Sequence, residues 1–428
     1  MTTAAPAFEQ LAPESSAAER AALRTARIRG GVFAFFGLFA FYSAIGSFGT
    51  TATFSFWISE QGGEQLTLST TVGLMWVLTG LITGAVAMGQ LVRGARFPWR
   101  RTLLVVVPIW VLTIMASLLD GKAANLTAVI TGSLEYAVPV SLGAFAGILS
   151  ERSGMLNIAI EGKFLVGALT AAVLVSVTHN VLIGIAGAAF AAALVGLLLA
   201  WLGIRWKVDQ IISGVVINIG AVGITNFLFL RVLSKHTELN TPQPTVEPIS
   251  IPVLSHIPVL GPILFDGTPY LYFTLIVMVF FTYMLFRTRW GLRLRASGEK
   301  PSAAGTVGID VIRIRYRSLI MAGILAGIAG SYLSLSTAGS FQMQMSAGKG
   351  FIALAAVIFG AWNPIYAFGA ALVFGFADSI QALLSILGVD VPPQLLNSVP
   401  YIVTIVVVAG LVGRVRGPAA AGQPYEQG

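Results

Sequence analysis

The chain has 428 residues, of which 56% are hydrophobic and only 10% charged, and its mean hydropathy is +0.83. Soluble domains carry about 25% charged residues, so this composition defines an integral membrane protein. Cysteine is absent, which excludes disulfides, thiolate catalysis and Cys-based metal sites; the net charge of +8 is accounted for by basic loops rather than by nucleic-acid binding.

Residues 1–29 are polar and Ala-rich and end in Arg20, Arg24, Arg27 and Arg29. No short apolar core follows the first basic residues, so this is not a signal peptide; it reads as a disordered cytoplasmic tail. Apolar runs then recur along the chain. A transmembrane helix needs roughly 20 such residues, and by that measure about twelve candidate spans centre near Phe39, Leu81, Pro108, Val138, Leu165, Phe190, Gly220, Val277, Leu325, Val357, Val373 and Val406. The run "GFIALAAVIFGAW" is short and reads as a half-helix. The runs are continuous rather than alternating, which favours helices over barrel strands. The fold class is therefore an all-α polytopic bundle of about ten to twelve spans. Gly143/Gly147 and Gly323/Gly327 have the spacing of close helix contacts.

Loop charge orients the bundle. "RGARFPWRR" carries Arg93, Arg96, Arg100 and Arg101 without an acid, and the stretch from Arg287 to Arg317 is strongly basic. Basic loops belong in the cytoplasm. The turn at Arg205 to Lys207 and the C-terminal "GRVRG" agree, and both termini then lie inside. Three histidines, His179, His236 and His256, fall in outer loops, as do "ISEQGGEQLTLST" and the Pro-rich segment from Lys235 to Tyr270. Its apolar part, "IPVLSHIPVLGPILF", is expected to lie on the outer face rather than to cross. The chain divides into the tail 1–29, N-terminal spans 30–125, a core 126–415 containing the basic loop 287–317, and a cytoplasmic tail 416–428.

One stretch breaks the apolar pattern. "ILSERSGMLNIAIEGKFLVGA", Ile148 to Ala168, holds Glu151, Arg152, Asn157, Glu161 and Lys163 together with Gly154 and Gly162. An ionised group in hydrocarbon costs about 2.5–3.5 kcal/mol even on lenient insertion scales. Two readings stand: a broken helix near a permeation path, or an ordinary cytoplasmic turn. Glu151 and Arg152 would lie at the interface. If the chain is helical from Met155 onward, Asn157 and Glu161 share a face and Lys163 points elsewhere. Glu135, Asn218, Asn226 and Asp378 are further polar groups within spans; Asn218 and Asn226, eight apart, share a helical face. Phe341 stands in an outer loop. No phosphate-cradling G-x-x-x-x-G-K-[ST] motif occurs, nor any nucleophile–base set, so catalysis by this chain is not expected.

Three motifs taken together carry a resemblance: "SERSGMLNIAIEGKFLVGA", "RTRWGLRLRASGEKPSAAGTVGIDVIRIRY" and "SAGKGFIALAAVIFGAWNP", with the outer "IPVLSHIPVLGPILF" in its proper place between them. From Ala128 to Gly413 the chain resembles permease subunits of nucleoside-type ABC importers, within the branched-chain amino acid and simple sugar permease family. Where that family usually has Glu-Asn-Pro, this chain has Glu299-Lys300-Pro301, and its first three spans are additional to the shortest members. The resemblance implies a type II importer fold and a permease of an ATP-driven importer in a bacterial cell membrane, with nucleosides as the substrate. It implies ABC ATPase subunits that hold ATP and Mg, a second permease subunit in a heterodimer, and an extracytoplasmic substrate-binding lipoprotein; no cofactor is expected in this chain. Coupling to the ATPase would involve Arg293, Arg295, Gly298, Glu299, Pro301, Gly305 and Gly308. The translocation path would be formed by Asn157, Glu161, Asn218, Asn226 and Phe341. The alternative is an ion-coupled secondary transporter using Glu135 or Asp378.

Overall fold

The computed structural model describes residues 12–57, 65–119, 121–389, 392, 394, 395, 398 and 416–426. Among them, ten helices are long and apolar enough to cross a membrane, and Lys349–Phe359 is a shorter apolar helix. Eleven expected span centres fall on these eleven helices. The twelfth, near Val406, lies outside the described residues.

Two compact units form. The first contains α1 (Ala12–Ile45), β1 (Thr51–Trp57), β2 (Gln65–Thr71), α2 (Val72–Arg93), α3 (Trp99–Leu119) and β3 (Ala123–Asn125). α1 begins well inside the expected disordered tail. The stretch "ERAALRTARIR" explains this: Ala, Glu, Arg and Leu are strong helix formers, so the span propagates backward through it. The segment expected to be an outer loop is partly a hairpin, with β1 antiparallel to β2 and parallel to β3. Its β-branched run "TATFSFW" suits a pleated surface. Between the helices, the rings of Phe36, Phe39, Trp76 and Trp110 meet at centroid distances of 5.4–6.2 Å. Lipid offers no partner to an indole N–H. Trp76 Nε1 accordingly donates to Ser117 Oγ at 2.8 Å, and Trp110 Nε1 to Thr83 Oγ1 at 3.0 Å.

The second unit contains the remaining long helices. α4 (Leu126–Arg152), α5 (Ile160–Thr178), α6 (Val181–Ala200) and α7 (Gln210–Leu228) are followed by the Pro-rich segment. That segment holds only short elements, two 3-10 turns at Thr237–Asn240 and Leu254–His256, β4 (Ile249–Ser250), the five-residue α8 (Leu260–Leu264) and β5 (Asp266–Gly267), none long enough to cross a membrane. Prolines at 252, 258 and 262 prevent a long helix there. α9 (Pro269–Arg287) leads through two short helices, α10 (Arg289–Glu299) and α11 (Pro301–Thr306), to α12 (Val311–Tyr332). α13 (Lys349–Phe359) and α14 (Pro364–Ile386) follow. At about 1.5 Å per residue, α13 is some 16 Å long, half of a bilayer core of roughly 30 Å. The expected half-helix is therefore present.

α12 sits at the centre because its small residues let neighbours approach to backbone contact. A Cβ on Gly327 would meet Ala188 O at 2.3 Å, one on Gly323 would meet Ala192 O at 2.5 Å, and one on Gly330 would meet Phe164 O at 2.2 Å. Between apolar helices in lipid, such van der Waals contact is the main attraction available. Gly330→Val should therefore lower stability by about 1–3 kcal/mol, the usual cost of overpacking. Thermal melting in detergent checks this, and a wild-type melting point would show that the α5–α12 contact is dispensable.

Candidate functional site: a break between two helices and the half-helix it caps

α4 ends at Arg152 and α5 begins at Ile160. Residues 153–159 are not helical, yet Ser153, Met155, Asn157 and Ala159 are all buried. Asn157 and Glu161 thus do not share a helical face, because the helix starts after Asn157. Gly154 turns the chain with φ +93, a conformation only glycine adopts cheaply. The interruption exposes backbone polar groups, and irregular backbone in a membrane protein persists only where other protein groups satisfy it.

α7 supplies much of that satisfaction. Gln210 Oε1 accepts from Leu156 N at 2.7 Å. Asn218 Nδ2 donates to Ile158 O at 2.9 Å, and its Oδ1 accepts from Gly162 N at 2.8 Å. Within the segment, Lys163 Nζ donates to Asn157 Oδ1 at 2.5 Å, so the lysine turns back toward Asn157 rather than away from it. Both side chains are fully buried. Asn157 Nδ2 has no hydrogen-bond partner among the described residues.

Glu161 reaches across to α13. Its Oε1 accepts from Ser346 Oγ at 2.5 Å and Gly348 N at 2.9 Å, and its Oε2 from Gly350 N at 2.7 Å. Gly348, at the N-cap of α13, has no side chain to cap the helix. The carboxylate does so instead, meeting free N–H groups and the positive end of the helix dipole. Gly350 is required at this contact, since a Cβ there would lie 2.5 Å from Glu161 N. Lys349, between these two glycines, pairs with Asp378 of α14 at 2.5 Å, both side chains largely buried.

The other end of the half-helix is held by the end of α4. Arg152 is half-buried, and Glu151 is buried against other protein groups, 8% exposed. Its Oε2 accepts from Trp362 Nε1 at 2.6 Å. Arg152 donates from Nε and Nη2 to Trp362 O and from Nη2 to Ala361 O, all at 3.4 Å. The burial is offset because each charge grips the tight α13–α14 turn, where Ala361 and Trp362 both have positive φ.

The basic loop is the two-helix unit α10–α11. Pro301 occupies the first turn of α11, where its missing N–H costs nothing. Arg293 and Glu299 are exposed, and Arg295 lies over the Phe286 ring at 5.4 Å. Glu299 faces Arg152 at 3.9 Å. Gly298 is buried, with its Cβ position only 2.3 Å from Arg152 O, and Ser297 Oγ donates to Ser153 O at 3.1 Å. Gly308 closes the unit with φ +81. The end of α10 therefore lies directly on the α4–α5 break.

The remaining expected path residues have different surroundings. Phe341 is buried among Ala168, Ala172 and Leu233, and its backbone N and O are bonded by Asn240 at 2.7 and 3.0 Å. It does not present a free ring. Asn218 has both amide ends occupied. Asn226, by contrast, has a buried Oδ1 without a partner among the described residues. A cavity of about 310 Å³ between α5 and α7 has walls such as Leu169, Val173, Leu228 and Leu233, and none of the expected path residues borders it. The sequence reading missed Gln210. It stands eight residues before Asn218, which stands eight before Asn226, so one polar stripe of α7 was already present in the spacing.

The fold and this arrangement define a class: a polytopic helical membrane protein with a buried helix break, a capped half-helix and a partly exposed two-helix loop. Residues 129–408 match the family described as branched-chain amino acid transport system / permease component, and the chain belongs to that family. It is 40% identical over 317 residues to the guanosine ABC transporter permease protein NupQ of Bacillus subtilis, covering 71% of this chain and 98% of that protein. It is 35% identical over 310 residues to the nucleoside ABC transporter permease protein NupC of Lactococcus lactis, covering 70% and 97%. With NupP, another guanosine ABC transporter permease protein of Bacillus subtilis, identity is 25% over 292 residues, covering 65% and 80%. No solved structure matches the chain.

The Glu161 cap makes a graded prediction. Glu161→Gln keeps one acceptor oxygen but turns an amide N–H₂ toward backbone donors, and should cost about 1–3 kcal/mol of stability. Glu161→Leu leaves three donors unmet and should cost more. Melting of the purified variants in detergent orders them; equal melting points for Leu and wild type would mean that α13 does not depend on the cap.

Proposed function

We propose that this chain is the permease subunit of an ATP-driven importer for nucleosides. The observation that carries the coupling half of this reading is the position of α10–α11, exposed on one side and bonded on the other to the α4–α5 break. The substrate half rests on the relatives named for guanosine and nucleosides. The family is one of ABC permease subunits, which are not enzymes. ATP and Mg then belong to separate ATPase subunits, and this chain holds no cofactor. A substrate-binding lipoprotein delivers the nucleoside from outside. The second permease subunit is a different chain, a reading supported by likeness to both NupP and NupQ, two guanosine permease proteins of one organism.

In this reading Arg293, Arg295, Gly298, Glu299, Pro301, Gly305 and Gly308 form the ATPase-facing unit. The exposed Arg293 and Glu299 make charge-assisted contacts with the partner. Pro301 sets α11, and Gly298 keeps α10 against the break. Asn157, Glu161, Asn218 and Phe341 shape the path by bracing its walls, and Asn226 has the acceptor left to meet a sugar or base. The ion-coupled alternative is not favoured. Glu135 is held by Thr268 N and Oγ1 at 2.8 Å and by Tyr332 OH at 3.2 Å, while Asp378 is paired with Lys349.

In this reading the protein lies in the bacterial cell membrane with both termini and α10–α11 in the cytoplasm, as the basic loops suggest. Lys300→Cys and Arg101→Cys should then resist an impermeant thiol reagent in intact cells, and Glu247→Cys should react. All three residues are exposed, and the chain has no native Cys. Outside labelling of Lys300→Cys would invert the topology.

Cells carrying the full system should take up labelled guanosine, and Glu299→Ala or Gly305→Leu should reduce both uptake and substrate-stimulated ATP hydrolysis with the membrane domain still folded. Uptake at the normal rate after removal of every ATPase partner would overturn the reading.

A further inference from the structure

The described C-terminal residues lie on the second unit rather than trailing from it. Residues 416–426 contain no helix. Pro418 to Gly422 make tight turns, with Ala421 N donating to Pro418 O at 3.1 Å and Gln423 N to Ala420 O at 3.2 Å. Small residues let this backbone approach other backbone closely. Ala420 N donates to Gly298 O at 2.9 Å, and Gly422 N donates to Gly154 O at 3.1 Å. One short segment is thus bonded to the end of α10 and to the first turn of the α4–α5 break. Ala420 is buried, and Gly417 packs on the Trp362 ring.

The remaining contacts extend the segment to two further places. Arg315 of α12, 2% exposed, donates from Nη1 to Gln423 O at 3.0 Å and lies 5.9 Å from the Tyr425 ring. Its Nη2 would lie 2.7 Å from a Cβ on Gly154. The guanidinium is therefore enclosed between the break and the C-terminal segment. Tyr425 OH reaches α11, 2.4 Å from where a Cβ on Gly305 would be. At the far end Glu426 pairs with Lys207, in the turn before α7, and that hydrogen bond and charge hold the Glu426 carboxyl below its ordinary range.

We propose that residues 417–426 are a positioning strap in energy coupling, tying the ATPase-facing helix α11 to the buried α4–α5 break. α10 touches the break directly through Gly298 and Ser297. α11 is joined to it through Tyr425, Arg315 and Gly154, so displacement of α11 by a partner is carried to the break by the strap. Arg315 is the positioning residue inside it: its stem packs within the unit, and its head holds the strap on one side and faces Gly154 on the other. This inference rests on the reading of α10–α11 as the ATPase-facing unit.

The test uses the full transporter reconstituted in liposomes, with wild type compared to a stop after Gly417, Tyr425→Ala and Tyr425→Phe. The stop and Tyr425→Ala should lower substrate-stimulated ATP hydrolysis and labelled guanosine uptake about two- to thirtyfold, the range expected when a link between coupled sites is cut. Co-purification of the ATPase and the melting point in detergent should be unchanged, and Tyr425→Phe, which keeps the ring on Arg315 but removes the hydroxyl that reaches α11, should fall between Tyr425→Ala and wild type. If the truncated chain fails to fold, Tyr425→Ala alone decides. Undiminished coupling in Tyr425→Ala overturns the proposal, and so does loss of ATPase co-purification in the truncated chain, which would make the segment a docking site. A second measurement separates a strap from a lid. Lys207→Cys/Glu426→Cys bridged by a short bismaleimide should still transport, because a strap works in place; transport lost on bridging overturns the proposal. Failure of wild type to bind any ATPase would instead remove the underlying reading of α10–α11.

Discussion

A helix interrupted inside a membrane protein leaves backbone N–H and C=O groups that lipid cannot satisfy. The second unit is arranged around the groups freed between Arg152 and Ile160. α7 contributes Gln210 and Asn218 to them. The end of α10 contributes Ser297, and the C-terminal segment contributes the N–H of Gly422. Each partner comes from a different part of the chain, so the break is the point at which distant segments are joined.

The charges that make the sequence look costly are what hold that joint together. Glu161 caps the half-helix α13, and Glu151 and Arg152 hold the turn at its other end. α13 is too short to cross by itself and carries no capping side chain at Gly348. Its position therefore depends on α4 and α5 at both ends. A movement at the α4–α5 break would be felt at α13 without any intervening loop, which is a suitable layout for a permease whose energy arrives on one side and whose substrate passes through the middle.

The first unit is built differently. Its helices are held by an aromatic cluster with paired indoles and by hydroxyl contacts such as Thr79 Oγ1 to Thr113 Oγ1 at 2.7 Å. Its part up to Leu126 precedes the family match, which starts at residue 129.

Composition and run length determined the membrane class, the half-helix and eleven of the helix positions, because burial in lipid acts on each residue nearly independently and leaves its mark locally. The period of α7 likewise revealed a polar face through Asn218 and Asn226. Only the tertiary structure decided what the polar residues do. That Glu161 caps α13, that Lys163 bends back to Asn157, that Phe341 is core, and that the C-terminal segment lies on Gly154 and Gly298 are pairings across as many as 268 residues of chain, from Gly154 to Gly422. A carboxylate's neighbours at that separation are set by which helices pack together, and no periodicity in the sequence encodes them.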